Sequence, residues 1–449
     1  MKQTKLYILT IGLLLGAMLL AACQSDALPG EDNSIEEVSR TDSCYINLRI
    51  VNTSQAKTRA TETATSAENA IYDGILCIFQ GESEATATLK GAVVIDQLIN
   101  NGTTNGVSVN ITQRLAGTHP YGTHLYVLAL LNTSATGFAV SGTALTLNGT
   151  TFPSTTTIGD IRNSQVNSVG STEKHVGLFM SNAPQTSYIM PEATALFDTE
   201  AKARASGAAR VTINVERAAA KVKVTNEATK LDNINLNSSS SHPSVHKMTW
   251  TPNNFYTKSL AVRGGTGSIS SVNFTASDFS VYPQRSHSGD HVYLAEGSTD
   301  IIVEVQLKDA SSMLMHECFQ FNGGNTLYTS TDALIAFYKN GWETNKSNYP
   351  GISGRTADEV FKYPTVTVGS NGTVSVTLTN ESFSSAEKTA LNSLATTLSG
   401  YTKGFRDGKM YYTYTLSNVV RNNAYNLTLR STSISGIGRP TPYEQNGNQ

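Results

Sequence analysis

Cys23 is the residue whose surroundings most clearly indicate a chemical reaction. It follows Leu-Ala-Ala at residues 20–22, after two lysines, Lys2 and Lys5, and an apolar run over residues 6–20. A basic start, an apolar run and small residues before the cut are the layout of a signal peptide. A cysteine placed directly after the small residues can accept diacylglycerol on its thiol before a lipoprotein signal peptidase cuts in front of it.

We therefore predict that residues 1–22 are a lipoprotein signal peptide and that Cys23 carries acyl chains such as palmitate. Each buried methylene group contributes about 0.8 kcal/mol, so two or three chains anchor a precursor to the outer membrane far better than one. The alternative is an ordinary secretory signal with a chance cysteine at the cut. Residues 23–43, which follow, are polar and are predicted to be a tether.

The remaining cysteines and the histidines do not indicate a metal site. Cys44, Cys77 and Cys318 form no CxxC pair, so their spacing indicates neither a zinc site nor a disulfide framework. We predict that Cys77 and Cys318 are small buried core residues. His287 and His291 are separated by Ser-Gly-Asp, which is typical of a turn and not of a shared helical face.

Motifs typical of enzymes are absent from the sequence. No GxxxxGK[ST], HExxH, GxSxG or GxGxxG pattern occurs, and the glycine-rich residues 264–267 are typical of a hairpin turn and not of a phosphate loop. Residues 406–408, Arg-Asp-Gly, also indicate a turn. Charged residues make up 15% of the chain and the formal net charge is −2, which does not favour nucleic acid as a partner. We expect no catalytic residue, no metal and no cofactor.

The elements that would position any site are mostly β-strands. Residues 45–50 alternate apolar and polar side chains, as a strand with one buried face requires. Other short apolar runs are separated by Gly, Asn and Pro, which is the spacing of a sandwich. These candidate strands are residues 71–79, 92–95, 106–111, 125–131, 138–140, 176–180, 211–215, 220–224, 247–250, 281–282, 292–294, 301–307, 317–321, 365–368, 374–378, 410–416 and 425–429.

Two helices interrupt this β pattern. Residues 384–398 begin with a capping box, Ser384 with Glu387, and continue with an apolar stripe at helical spacing. Residues 356–361 are a weaker candidate. The sequence therefore predicts a mainly β protein with a few short helices.

The chain is long enough for more than one domain. We predict an N-terminal β-sandwich over residues 60–207, a C-terminal β-sandwich over residues 208–435 and a short polar tail over residues 436–449. The break is placed near residues 203–207, where small residues follow an acidic pair.

Five segments, in their order along the chain, resemble the fimbrillins, the lipoprotein-precursor subunits of type V pili. They are Cys23 with its leader, Thr-Arg-Ala at residues 58–60, the strand ending in Asn at residues 126–132, VERAAAKV at residues 215–222, and MYY with VRNNAYNL within residues 410–427. The last is similar to the final strand pair of the short-fimbria (Mfa-type) branch. The resemblance spans nearly the whole mature chain.

The resemblance implies two tandem transthyretin-like β-sandwiches and an assembly mechanism. An Arg-specific surface protease would cut between Arg59 and Ala60, at the end of residues 44–59, which are the removable first strand and its processing loop. A strand from another fimbrillin subunit would then fill the groove, supporting adhesion and biofilm formation. Inward Ile46, Leu48 and Ile50 of that strand would each contribute roughly 1.5–3 kcal/mol of burial. A solvated loop arginine is the alternative for Arg59.

Other functions stay open from the sequence. A monomeric surface lipoprotein would bind a glycan or a host protein through residues 238–244 or 322–328. A hydrolase is disfavoured because no nucleophile, metal set or acid pair is found. Glu216 and Arg217 are expected to form a surface or inter-domain ion pair. The tyrosines within residues 411–414 are expected to pack in a strand.

The C-terminal segment differs from that of the polymerising subunits the chain resembles. Residues 431–449 contain Gly436, Gly438, Pro440 and Pro442 and end in polar residues, so they do not predict a regular donor strand. The chain is therefore expected to accept a donor strand without giving one, at a fibre tip or in an accessory position.

Overall fold

The computed structural model describes residues 43–52, 65–95, 108–116, 125–167, 177–183, 196–269, 271–272, 286–369 and 372–430. Cys23, Arg59, Ala60, the candidate strand at residues 281–282 and residues 431–449 lie outside these ranges. Within them, no helix is both long and apolar enough to cross a membrane.

The described part of the chain is mainly β, as the sequence predicted. The first strands are β1 (Ser43–Asn52), β2 (Gly74–Gln80), β3 (Thr88–Val94), β4 (Ser108–Ala116), β5 (Leu125–Leu131), β6 (Phe138–Ser141), β7 (Ala144–Leu147), β8 (Thr150–Thr151), β9 (Gln165–Val166), β10 (Met180–Asn182), β11 (Leu196–Phe197) and β12 (Val211–Arg217). The later strands are β13 (Ala220–Asn226), β14 (Asn235–Leu236), β15 (Ser244–Asn253), β16 (Phe255–Tyr256), β17 (Ser259–Leu260), β18 (Ser271–Val272), β19 (Ser286–His287), β20 (His291–Leu294), β21 (Gly297–Lys308), β22 (Cys318–Phe321), β23 (Thr326–Tyr328), β24 (Tyr363–Val368), β25 (Val374–Thr379), β26 (Thr402–Phe405), β27 (Lys409–Val419) and β28 (Ala424–Leu429).

Helices are few and mostly short. They are α1 (Ser66–Asn69), α2 (Ile158–Arg162), α3 (Glu200–Arg204), α4 (Thr331–Asn345), α5 (Ala357–Val360) and α6 (Ser385–Tyr401).

The first half of the chain is organised around one large sheet. Among the described residues it has eight strands, in the order β11-β1-β12-β10-β5-β2-β3, with β4 also paired to β1. Strand β5 is buried along its whole length, and its side chains alternate between two cores, one on each face of the sheet. A strand covered on both faces is apolar throughout, which explains the continuous run Leu-Tyr-Val-Leu-Ala-Leu-Leu. Ile46, Leu48 and Ile50 of β1 belong to one of these cores.

The second half contains a sandwich and a helical layer. Sheets β20-β13-β28 and β19-β15-β21-β27 enclose a core that includes Trp250. Strand β21 lies between β15 and β27, antiparallel to both. Helices α4 and α6 share a further core with Phe319 of β22 and with the hairpin β24-β25.

The two predicted helices are present. Ser384 caps α6, and its side chain and that of Glu387 form the expected capping box. Thr356 caps α5 in the same way. Helix α4 was not predicted, although Leu334, Tyr338 and Trp342 are buried along one face.

Three details of the strand prediction are wrong. Residues 177–179 of the candidate strand at 176–180 are not in a strand, and β10 begins only at Met180. Strand β2 begins at Gly74 and not at residue 71, because Ile71 forms only an isolated bridge after α1. Residues 264–267 do form a turn, with φ of 81° at Gly264, but the turn does not close a hairpin. The strands on either side of it, β17 and β18, pair with β9 and β16 and not with each other.

The predicted break between domains at residue 207 stays a prediction. Strand β12 follows that residue, pairs with β1 and β10, and contributes Val211, Ile213 and Val215 to the first core. Ala220, at the start of β13, is the next residue along the chain that joins the second sandwich core. Sheet membership therefore changes between Arg217 and Ala220.

Candidate functional site

Strand β1 is bonded along both of its edges. Along one edge it is antiparallel to β4, from Ser43 opposite Ala116 to Val51 opposite Ser108. Along the other edge it pairs first with β11 and then runs parallel to β12, with Leu48 opposite Val211 and Asn52 opposite Val215. The first strand of the described chain is thus an internal strand of the sheet, held by partners that come much later in the sequence.

The inward face of β1 fills the first core. Ile46, Leu48 and Ile50 are each 0% exposed and belong to the same core as the apolar side chains of β2, β5 and β12. Full burial of each such side chain is worth roughly 1.5–3 kcal/mol. The prediction that these residues point inward is confirmed, and removing β1 would leave a long apolar groove between β4 and β12.

The same inward face ends in a polar residue that sequence reasoning missed. Asn52 is two residues beyond Ile50, so it lies on the same face, and it is 4% exposed. Its Nδ2 donates to Oδ1 of Asn69, 3.2 Å away, at the end of helix α1. No described residue donates to Oδ1 of Asn52. The only signal in the sequence is its position two residues after Ile50, because the apolar and polar alternation of residues 45–50 breaks at Val51 and Asn52.

Helix α1 is fixed to the second half of the protein through Glu68. One carboxylate oxygen of Glu68 accepts hydrogen bonds from the Tyr293 hydroxyl at 2.5 Å and lies 3.2 Å from the Lys221 ammonium. The other accepts from the backbone N–H of Thr65 at 2.6 Å, and Arg217 is 3.9 Å away. Burial alone would raise the pKa of Glu68, but these bonds and the nearby Lys221 outweigh it and hold the pKa below its ordinary value.

A second cluster of charges lies at the junction between the two halves. Glu216 is buried and accepts from Arg263 at 2.6 Å, while Arg421, fully buried, holds Glu296 through two nitrogens at 2.7 and 3.0 Å. Burial raises the pKa of Glu216 to about 7 despite the two arginines. The expected pair between Glu216 and Arg217 is wrong. These neighbours point to opposite faces of β12, and each binds a different cluster.

Two buried amides complete the backbone pairing around β5. Asn132 has a left-handed backbone, with φ of 55°, and its side chain accepts from Tyr72 N–H and donates to the carbonyls of Ala70 and Leu178. Asn182, where β10 ends, accepts from Ala129 N–H and donates to the Val127 carbonyl. Asn132, which ends the predicted inner strand, therefore joins three segments of the chain.

The remaining candidate residues have structural positions. Cys77 and Cys318 are buried free thiols, as predicted, and burial also raises the pKa of Cys44, to about 12. His287 and His291 flank a tight turn and are exposed. No group of His, Cys, Asp or Glu able to hold a metal ion occurs in the part of the chain that is described.

The tyrosines of β27 differ from one another in exposure. Tyr411 is buried and donates to Glu304 at 2.7 Å, and Tyr412 packs against the sandwich core. Tyr414 is 56% exposed, so the prediction of strand packing holds for the first two tyrosines and is wrong for the third.

The two loops proposed from the sequence as binding surfaces are brought together. Strand β14 leads into residues 238–244 and runs parallel to β23, which ends the segment 322–328. Asn237 connects them further, because its side chain donates to Thr329 Oγ1 at 2.7 Å and accepts from Thr329 N–H at 2.9 Å.

Several solved structures with related descriptions are similar to this chain, among them the following three. One is a fimbrial assembly protein from Parabacteroides distasonis, with 12% identity over 60% of this chain and 86% of that chain and a TM-score of 0.32. A proposed cell adhesion protein from the same species has 13% identity, covers 62% of this chain and 80% of that chain, and has a TM-score of 0.34. A proposed cell adhesion protein from Bacteroides eggerthii has 11% identity, covers 64% of this chain and 85% of that chain, and has a TM-score of 0.30. No family model and no curated protein matches the chain.

Proposed function

We propose that this chain is a structural subunit of a surface fimbria of the type V pilus kind, assembled by strand exchange and supporting adhesion and biofilm formation. The observation that carries the proposal is the placement of β1. It is an internal strand that fills the core, yet it is the first strand described and it precedes the segment containing Arg59.

The physical argument follows from what a cut after Arg59 would do. The cut would leave β1 held only by noncovalent contacts, and its loss would expose the apolar groove and two rows of unpaired backbone groups on β4 and β12. An exposed strand edge beside an apolar groove binds another strand readily. The partners are other fimbrillin subunits and an Arg-specific surface protease, with a bacterial or host surface as receptor.

The cut at Arg59 is tested by sequencing the surface form of the protein. We expect Ala60 as its first residue, and we expect Arg59→Ala to retain the preceding residues and to stop polymerisation. The matched control is Lys57→Ala, which changes a basic residue of the same segment and should be processed normally. Wild-type surface protein that always begins at Cys23 would contradict the proposal.

The anchor of the precursor is tested separately. Labelled palmitate should enter the wild-type precursor, and Cys23→Ala should abolish the label because the acylated thiol is gone. Cys44→Ala is the control, since that thiol lies in β1 and should not affect labelling. Label that persists in Cys23→Ala would show that the anchor lies elsewhere.

A second candidate function is supported by the adjacent loops at residues 238–244 and 322–328. Together they form one surface of Ser, Asn and Gly residues suited to hydrogen-bonding a glycan or a host protein. Binding of the uncleaved monomer to a glycan array, lost when residues 238–241 are replaced by alanine, would favour this function.

A further inference from the structure

The inward face of β1 makes two kinds of contact, apolar packing and a hydrogen bond. Ile46, Leu48 and Ile50 make only apolar contacts in the core. Asn52, in the next inward position, instead makes a directional hydrogen bond to the side chain of Asn69. Asn69 is 0% exposed. A buried amide oxygen that loses a hydrogen bond cannot replace it with one from water, so this position discriminates between side chains more sharply than an apolar pocket does.

Asn69 does not belong to the part of the chain that leaves with β1. It ends helix α1, whose capping box joins Thr65 and Glu68. Glu68 is bonded to Tyr293 of β20 and to Lys221 of β13, which are neighbours in the second half of the protein. The position of Asn69 is therefore set by contacts that remain when β1 is gone.

We propose that Asn69 selects the incoming strand and fixes its register. This inference rests on the proposed function and names the partner by its chemistry. The accepted strand runs parallel to β12 and carries three alternate apolar residues followed, on the same face, by an asparagine or another short side chain with an N–H or O–H donor. Its asparagine takes the place of Asn52.

The register follows from the same contact. A strand displaced by two residues still presents an apolar face to the groove, so apolar contacts alone do not exclude it. The displacement would bring an apolar side chain against Asn69 and remove the hydrogen bond that Asn52 donates to its buried amide oxygen. A single buried asparagine fixes register in this way in helical coiled coils.

The first test uses protein cut behind Arg59 and freed of β1. Three synthetic peptides of residues 43–52 are titrated into it: the native sequence, Asn52→Leu and Arg49→Leu. Arg49 is exposed on the opposite face, so its replacement is the matched control. Asn52→Leu should bind about tenfold more weakly than the native peptide, and Arg49→Leu within about twofold of it. Equal affinity for the native and Asn52→Leu peptides would overturn the proposal.

The second test uses the intact, uncut chain and does not depend on strand exchange. The unfolding equilibrium constants of Asn52→Leu, Asn69→Leu and the double variant form a double-mutant cycle. We expect the double variant to differ at least fivefold from the product of the single effects, and independent effects would overturn the proposed pairing. Where the leucine variants do not fold, serine at both positions gives the same comparison.

The two tests separate this inference from the proposed function. A native peptide that does not return to the cut protein, with a clear Asn52–Asn69 coupling in the intact chain, would contradict strand exchange and leave the amide contact as a folding determinant. Return of the native and Asn52→Leu peptides with equal affinity would support strand exchange and exclude selection by Asn69.

Discussion

Leu48 is at the centre of the inward face of β1 and is completely buried. Leu48→Ala should lower the free energy of unfolding by about 2–5 kcal/mol, because it removes buried methyl groups and leaves a cavity that the β-sheet cannot close. Urea denaturation followed by fluorescence or circular dichroism gives the measurement. Arg49→Ala, on the exposed face of the same strand, should change it by less than about 0.5 kcal/mol. Similar losses for both variants would mean that β1 does not pack as described.

At the scale of single residues, the sequence predicted the apolar contacts and missed the polar ones. Alternation identified Ile46, Leu48 and Ile50, since a strand with one buried face has a period of two. Asn52 and Asn69 are polar residues of a kind usually found in turns, and only the fold brings them together. A contact between two distant buried amides has no local signature.

Helix α6 shows which elements a sequence determines by itself. Ser384 Oγ accepts from Glu387 N–H, and the Glu387 carboxylate accepts from Ser384 N–H at 2.8 Å. The hydrogen bonds that the Ser384 N–H and hydroxyl donate to this carboxylate, and a further one from Arg355, lower the pKa of Glu387 to about 2. Cap and stripe are local, so the helix was predicted over residues 384–398, although it continues through Gly400 to Tyr401.

Removing the cap of α6 should have a measurable cost. Ser384→Ala should lower the free energy of unfolding by about 1 kcal/mol, because the first turn loses its side-chain acceptor. Ser385→Ala, one residue later and exposed, is the control and should be nearly neutral. Thermal unfolding monitored by circular dichroism compares the two, and an unchanged Ser384→Ala protein would show that the cap does not contribute.

Helix α4 was not predicted from the sequence, and the reason is physical. Its buried residues Leu334, Tyr338 and Trp342 are at helical spacing, but Asn340, Gly341 and other weak helix formers interrupt the run. Packing against the shared core with α6 stabilises the helix, and that contribution is not local.

For the whole molecule, the class of fold and most strands follow from the sequence, but the pairing of the strands does not. The alternation of residues 45–50 predicts a strand, yet nothing in it indicates that Leu48 lies opposite Val211. Nor does the sequence show that the two halves meet through buried charges. Glu216 and Arg217 were expected to form an ion pair. In the fold, Arg217 lies near Glu68 and Glu216 binds Arg263, so the two residues belong to separate clusters.

The buried Glu216 should make the stability of the whole molecule depend on pH. Its pKa in the folded protein is about 7, above the 4.5 of an unperturbed glutamate. The folded state therefore binds the proton more tightly, and the stability present below about pH 4.5 is lost as the pH rises towards 7, by up to about 3 kcal/mol. Glu216→Gln does not titrate at this position, so its stability should fall less over the same range.

Chemical denaturation at pH 5, 6, 7 and 8 compares wild type with Glu216→Gln. The exposed Glu200→Gln is the control and should follow the wild-type profile. Parallel profiles for wild type and Glu216→Gln would mean that the proton is not bound more tightly in the folded state.

The ladders on both edges of β1 also determine how the strand resists force. Pulled along its own axis, β1 is loaded in shear, so the bonds to β4 and to β12 carry the tension together and must fail nearly at once. If the same strand is lifted from one end, its hydrogen bonds to the neighbouring strands break one residue pair at a time, which requires less force. A replacement strand in this position would also be loaded in shear when pulled along its axis. A chain of such subunits would therefore resist the largest force when the pull is parallel to that strand.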